Sequence, residues 1–453
     1  MVTTVENGPA PARGAAWLKE WQPENESFWQ GQGKALAWQT LTITTANLIM
    51  AFIIWFVVSA LVVRLPGVGF KLTTTQLFWL AAMPGLAGGT LRIIHTFLVP
   101  LYGTRNVVAF STLSLLIPAV GWFFAVQNPA TPYWMLLLLA FAAGLGGGNF
   151  SSFMPSTSLF FPKRLQGTAL AIQAGIGNFG VSVVQFVTPW IIGLALFGTM
   201  AGDAQMLKTA AGEKPIWLQN ALLIYVPFVV VFGLAAWFML KSVPVRANFR
   251  EQIDIFKMKH AFFMTLLYIM TFGSFSGFSA TFPLLIKQVY GGLPGAPDPL
   301  AYAFYGPLVG SVARVLAGPV SDKLGGAKVT HYSGIGLLIC VVGVTFFTSP
   351  TSMADFPYFV GFMLGVFFFA GVGNASTFKQ MPMLFPPRQA GGVIGWTAAM
   401  AAYGPFAAGV MIGFAYAWFG TPNAFFYWAA FFFAVCVAIN WWFYARKGAE
   451  APC

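Results

Sequence analysis

Three cations stand inside otherwise apolar runs of the 453-residue chain: Arg92, Arg314 and Lys379. An arginine deep in hydrocarbon costs at least about 2.5–3.5 kcal/mol, so each requires a partner. None of the chain's 12 carboxylates falls inside such a run; Asp322, for example, sits in the charged turn Ser321–Lys328. A buried charge is normally paired. The missing counter-charge is therefore best supplied by cargo, and the cargo should be an anion. Two guanidinium forks suit a small planar oxyanion, which they hold by charge-assisted hydrogen bonds. The competing account is that an arginine snorkels or binds a backbone carbonyl at a helix break. Arg92 lies about 16 Å from the turn at Gly103, which is far to snorkel. Lys379, about 10 Å from Pro386, has two open readings: a place on the substrate pathway, or a reach to the membrane surface. His95, three residues after Arg92, is read either as a neutral packing residue or as part of a proton relay.

No nucleophile–base set and no metal-ligand cluster is visible, so enzymatic chemistry, a metal and a cofactor are all unexpected. The three cysteines, Cys340, Cys436 and Cys453, form no spaced motif.

The elements that must position the arginines are membrane helices. The chain is 58% hydrophobic and 8% charged, where soluble domains carry about 25% charged residues. Apolar runs long enough to span a bilayer lie near 38–64, 74–99, 105–126, 133–158, 165–195, 216–240, 260–289, 301–320, 328–348, 357–384, 390–418 and 424–445. An all-α protein of twelve transmembrane helices is predicted. Its parts are an N-terminal segment (1–37), a six-helix bundle (38–240), a polar linker (241–259), a second bundle (260–445) and a tail (446–453). With the N-terminus in the cytoplasm, sixteen of the 24 Lys and Arg fall on cytoplasmic segments and five on the opposite side. That bias places both termini inside. It also accounts for most of the +12 net charge, so basic loops facing anionic lipid are expected and a nucleic-acid partner is not.

The two halves repeat. Gly148-Asn149-Phe150-Ser151-Ser152-Phe153 matches Gly373-Asn374-Ala375-Ser376-Thr377-Phe378, and Phe161–Gly167 matches Phe385–Gly391. Gly88 precedes Arg92 by four residues as Gly310 precedes Arg314. Such a repeat builds a substrate site between the halves near the midplane. In the fifth span, Gly175, Gly177 and Gly180 permit close helix approach and leave Asn178 as the one strongly polar side chain among them. That Asn is a candidate donor to an oxyanion, and a packing role is the alternative. Phe52, Phe150, Tyr268 and Phe272 are candidate walls; a deep Tyr hydroxyl needs a partner.

Gly318-x-x-Ser321-Asp322-x-x-Gly325-Gly326-x-Lys328 resembles the cytoplasmic loop motif of the major facilitator superfamily. Trp21-Gln22-Pro23-Glu24, Phe28-Trp29, Phe272–Phe275, Gly277–Ala280, the run Gly175–Gly180 and the two arginines make the chain similar to NarK-type nitrate/nitrite porters. The resemblance implies nitrate and nitrite as substrates, a rocking motion of the halves and no cofactor. It implies an anion held between Arg92 and Arg314, with Tyr268 and Asn178 in the site and Phe52, Phe150 and Phe272 as its walls. Asp322, Gly325 and Gly326 become a gating loop. Two positions depart from the family: Ala398–Gly404 is poor in glycine, and Lys379 replaces a neutral residue. Exchange of external nitrate for internal nitrite, by a functional monomer in a bacterial inner membrane, is the expectation. Proton-coupled nitrate symport, an anion channel and a nitrate receptor are the alternatives.

Overall fold

The structure, a computed structural model, describes residues 16–196, 198–209, 212–244, 253–385 and 387–453. Eleven helical stretches among these residues are long and apolar enough to cross a membrane. They are α1 (Glu26–Leu61), a 52-residue stretch Thr74–Ala125, α4 (Tyr133–Ser158), α5 (Lys163–Ile191) and α6 (Asn220–Met239). After the linker come α7 (Lys259–Tyr290), α8 (Leu300–Leu324), α9 (Gly326–Thr345), α10 (Met353–Leu384), α11 (Gly392–Phe419) and α12 (Asn423–Ala445). The 52-residue stretch folds back at Gly103, whose φ of 80° and ψ of 157° are not helical. It therefore supplies two legs, α2 (74–102) and α3 (104–125), and the twelve predicted spans are present.

Gly103 is required for two reasons. Its positive φ suits glycine. A Cβ there would also lie 2.5 Å from Ser242 Oγ and 2.7 Å from the Trp17 ring. Trp17 and Ser242 pair as short parallel backbone segments, with Leu18 N donating to the Ser242 carbonyl and Ser242 N to the Ala16 carbonyl, each at 2.9 Å. The N-terminal segment and the start of the linker thus pin the α2–α3 turn. The rest of the linker, 245–252, with Arg246, Arg250 and Glu251, lies outside the described residues, as do most side chains of the second Phe-Pro-Pro-Arg motif.

Two expectations are corrected. The first helix starts at Glu26, inside the segment expected to precede it, because Asn25 caps it: Oδ1 accepts from Ser27 N and Phe28 N. The fold is also not purely helical. An antiparallel hairpin, β1 (Gln205–Thr209) and β2 (Gly212–Ile216), fills the α5–α6 connection. It is anchored by buried Leu207 and Ile216, with Leu207 packed over Gly67.

Helices cross closely where glycines repeat. A Cβ on Gly147 would sit 2.7 Å from Gly88 Cα, and one on Gly371 would sit 2.1 Å from the Gly310 carbonyl. These crossings press α2 on α4 and α8 on α10, one helical turn before each arginine. α7 widens into a π turn at Ile269–Gly273, a feature frequent at functional sites. α11 breaks at Ala402 and Tyr403, between helices ending at Ala401 and starting at Gly404. The break abuts the π turn: a Cβ on Gly404 would meet the Gly273 carbonyl at 2.2 Å. Large apolar side chains such as Phe124, Trp190, Phe346 and Trp418 are exposed on the outer helix faces, as a lipid-facing surface requires.

The two ends of the described chain, Ala16 and Cys453, lie at one end of the bundle, because an even number of helical legs separates them. Polar contacts join the halves from mid-depth to the opposite, far end. Arg64 pairs with Asp298 at 2.5 Å, the Lys287 ammonium donates to the Val63 carbonyl, and Thr74 bonds Gln288 at 3.2 Å. Thr75 donates to the Gly413 carbonyl at 3.2 Å.

Candidate anion-binding site

Arg92 is fully buried. Its Nε donates to the Gly147 carbonyl at 2.9 Å and its Nη1 to the Ala398 carbonyl, in the opposite half, at 2.8 Å. The guanidinium carbon lies 4.6 Å from the Phe150 ring centre, 5.1 Å from Phe272 and 5.3 Å from Trp55. Nη2 has no partner. Arg92 is thus better partnered than the sequence implied, by carbonyls and ring faces in place of a carboxylate.

Arg314 has less. It is 8% exposed, its Nη1 is buried without a partner, and one ring, Phe378, lies 5.4 Å from its guanidinium carbon. A charge-assisted hydrogen bond contributes about 1.5–3 kcal/mol and a cation–π contact about 0.5–2 kcal/mol. By that comparison Arg314 carries the larger uncompensated charge. Among the described residues no carboxylate pairs with either arginine.

Tyr268 is buried between them. Its hydroxyl lies within electrostatic reach of Arg314 and Arg92, yet it has no hydrogen bond of normal geometry. The Tyr268 ring stacks on Phe272 at 5.5 Å and tilts on Phe378 at 5.0 Å. Phe272 stacks on Phe150 at 6.5 Å, and Phe52 meets Phe150 edge-on at 6.4 Å. One chain of rings therefore links Phe52, Phe150, Phe272 and Tyr268 beside the arginines. Asn178 is fully buried on α5, with both amide atoms unpartnered. Gly175, one turn earlier on the same face, packs against Val315 beside Arg314. Gly177 and Gly180 seat α5 on Leu48, Ile49 and Phe52 of α1.

Two residues fall elsewhere. His95 faces α4, where Nδ1 meets Ser152 Oγ at 2.9 Å and Ser152 in turn bonds the Asn149 carbonyl. Lys379 requires a correction: it does not lack a carboxylate. Its Nζ pairs with Asp322 Oδ1 at 2.5 Å, with both side chains about half exposed at the end nearer the termini. One helical face of α10 brings it beside the α8–α9 turn, a proximity that sequence separation hides. That turn bends at Gly325, φ 91°. Gly326 packs on Gln380 and Ser376.

Two further rings, Trp55 and Phe378, face the arginines without a site signal in the sequence. Phe378 lay within the repeated Gly-Asn stretch, one residue before Lys379. Trp55 had no signal of its own beyond standing one turn from Phe52; it is fixed by Nε1 donating to the Pro84 carbonyl at 2.9 Å.

Two six-helix halves around a buried, carboxylate-free pair of arginines define a membrane carrier. Residues 43–378 match the family model of the Major Facilitator Superfamily, and the chain belongs to that superfamily. It is 66% identical over 438 residues to the probable nitrate/nitrite antiporter NarK2 of Thermus thermophilus, covering 96% of this chain and 98% of that one. It is 38% identical over 455 residues to the nitrate/nitrite transporter NarU of Salmonella typhimurium, covering 95% and 96%. Among solved structures, a bacterial homolog of the human lysosomal transporter Spinster superposes with a TM-score of 0.64 at 14% identity, over 91% of this chain and 96% of that one. That last likeness is one of fold.

Proposed function

We propose that this carrier exchanges nitrate for nitrite across a bacterial inner membrane, with one anion at a time held between Arg92 and Arg314. The observation that carries the reading is a set of buried donors without partners: Arg92 Nη2, Arg314 Nη1, the Tyr268 hydroxyl and Asn178 Nδ2. Leaving such groups unpaired costs about 1–3 kcal/mol each, and more when charged. A small planar anion with three or two oxygens offers acceptors for all of them. The aromatic walls exclude water and strengthen the attraction. The names of the relatives at 66% and 38% identity support nitrate and nitrite as that anion.

The mechanism follows from charge. Without an anion, two guanidinium groups repel each other across the interface between halves, and the halves resist closing over them. A bound anion offsets that repulsion, so loaded carriers rock and empty ones do not. Obligatory exchange results without a proton carrier. His95, bonded to Ser152, stands apart from the cycle. The Lys and Arg bias supports cytoplasmic termini, which makes the Arg64–Asp298 end the outer one. The two halves, 38–240 and 260–445, are the rocking units. A monomer contains the whole site, and the basic inner loops meet anionic lipid.

Purified protein in liposomes tests this. Nitrate uptake that requires internal nitrite and ignores a pH gradient is expected; pH-driven uptake into nitrite-free vesicles would overturn exchange in favour of symport.

A further inference from the structure

A second polar layer lies beyond the arginine site. Ser59 in α1, Gln185 in α5 and Ser279 in α7 each stand seven residues after a site residue: Phe52, Asn178 and Phe272. The three helices run in the same direction. Seven residues are about two turns and 10.5 Å of rise, so the layer sits below the same faces, toward the far end. Its members are almost completely inaccessible. Gln185 Nε2 donates to Ser59 Oγ at 3.0 Å and to the Ser279 carbonyl at 2.8 Å. Ser279 belongs to the opposite half, so one amide ties both halves together across the route from the site. The bonding is incomplete: Gln185 Oε1 and the hydroxyls of Ser182 and Ser279 are buried without partners.

We propose that Gln185 is the outer gate residue of the anion path. Closed, it plugs the space between α1, α5 and α7. The unsatisfied Oε1 keeps this closed form from being too stable, because water can reach that oxygen only when the halves part. Opening also frees two amide hydrogens on the anion's route. A neutral amide suits this position: it attracts the anion weakly enough to release it, whereas a lysine would hold it and a leucine would offer nothing. Asn178 and Ser182, on the same face of α5, lead from the arginines to this gate. The ion pair Arg64–Asp298 closes the path further out.

The assignment rests on the transport reading for the identity of what passes, and its test does not use that identity. In a background with Cys340, Cys436 and Cys453 replaced by Ala, Ser182→Cys places a thiol between site and gate. A membrane-impermeant thiol reagent is added from outside. Ser182→Cys alone should react slowly, and adding Gln185→Leu should accelerate labelling about tenfold, the effect of losing two net hydrogen bonds. Ser59→Ala, which removes one bond and little volume, should give an intermediate rate. It decides the matter if Gln185→Leu does not fold. Unchanged labelling in the folded variants overturns the gate. If labelling rises with Gln185→Leu while nitrate and nitrite alter it in no variant, the gate stands and the choice of anion fails.

Discussion

The two arginines hold their charge in different ways, and substitution should separate them. Arg92 makes two carbonyl bonds and faces three rings. Lysine cannot reproduce that planar fork. Arg92→Lys should therefore lower both nitrate transport and thermal stability. Arg314, with one ring contact and a buried, unpartnered Nη1, has less native bonding to lose. Arg314→Lys should cut nitrate uptake at least about tenfold, or 1.4 kcal/mol, with an unfolding temperature near the parent's. Near-normal uptake in either variant would remove the central argument. Tyr268→Phe deletes one unpartnered hydroxyl and should weaken nitrate binding by about 1 kcal/mol, read by isothermal titration. Lys379→Gln breaks a half-exposed pair. Such pairs contribute about 0–1 kcal/mol, so exchange should persist; a lost exchange would place Lys379 on the pathway.

At the scale of elements, the turns decide where the arginines stand. Gly103 sets the angle between α2 and α3, and both its φ and the contact with Ser242 and Trp17 exclude a side chain. Gly103→Ala should destabilise by about 1–3 kcal/mol, measured as a fall in unfolding temperature in detergent, and should loosen the N-terminal segment from the linker. The helices themselves were legible in the sequence because hydropathy is a local property. The hairpin at Gln205–Ile216 was not: Gln-Met-Leu-Lys-Thr carries weak strand propensity, and its pairing depends on the hydrophobic seat over Gly67. The break in α11 also survives without the glycine-rich run, because Gly404 alone supplies the close approach to Gly273.

At the scale of the whole molecule, the two halves meet in this structure through polar contacts from mid-depth to the far end. Arg92 with Ala398, the Thr90 and Tyr403 hydroxyls at 2.8 Å, Gln185 with Ser279 and Arg64 with Asp298 bridge the halves in that order toward the far end. Asp298→Asn should leave Arg64, whose side chain is 10% exposed, short of its counter-charge. A cost of about 1–3 kcal/mol for the far-closed state follows. Spin-label distances across the far end should then broaden toward longer values, while those in a parent carrier stay short.

The sequence by itself carried the twelve apolar spans, the Lys and Arg bias between their two ends, and two arginines with no acid in their own spans. Each of these follows from composition along the chain and from the free energy of placing charge in hydrocarbon. Only the tertiary structure decided who partners whom. Arg92 reaches a carbonyl 306 residues away, Lys379 finds Asp322, and Gln185 ties α5 to α7. Such bonds depend on how helices pack across a shared interface. Periodicity assigns each residue to a face of its own helix, but only the packing says what that face meets.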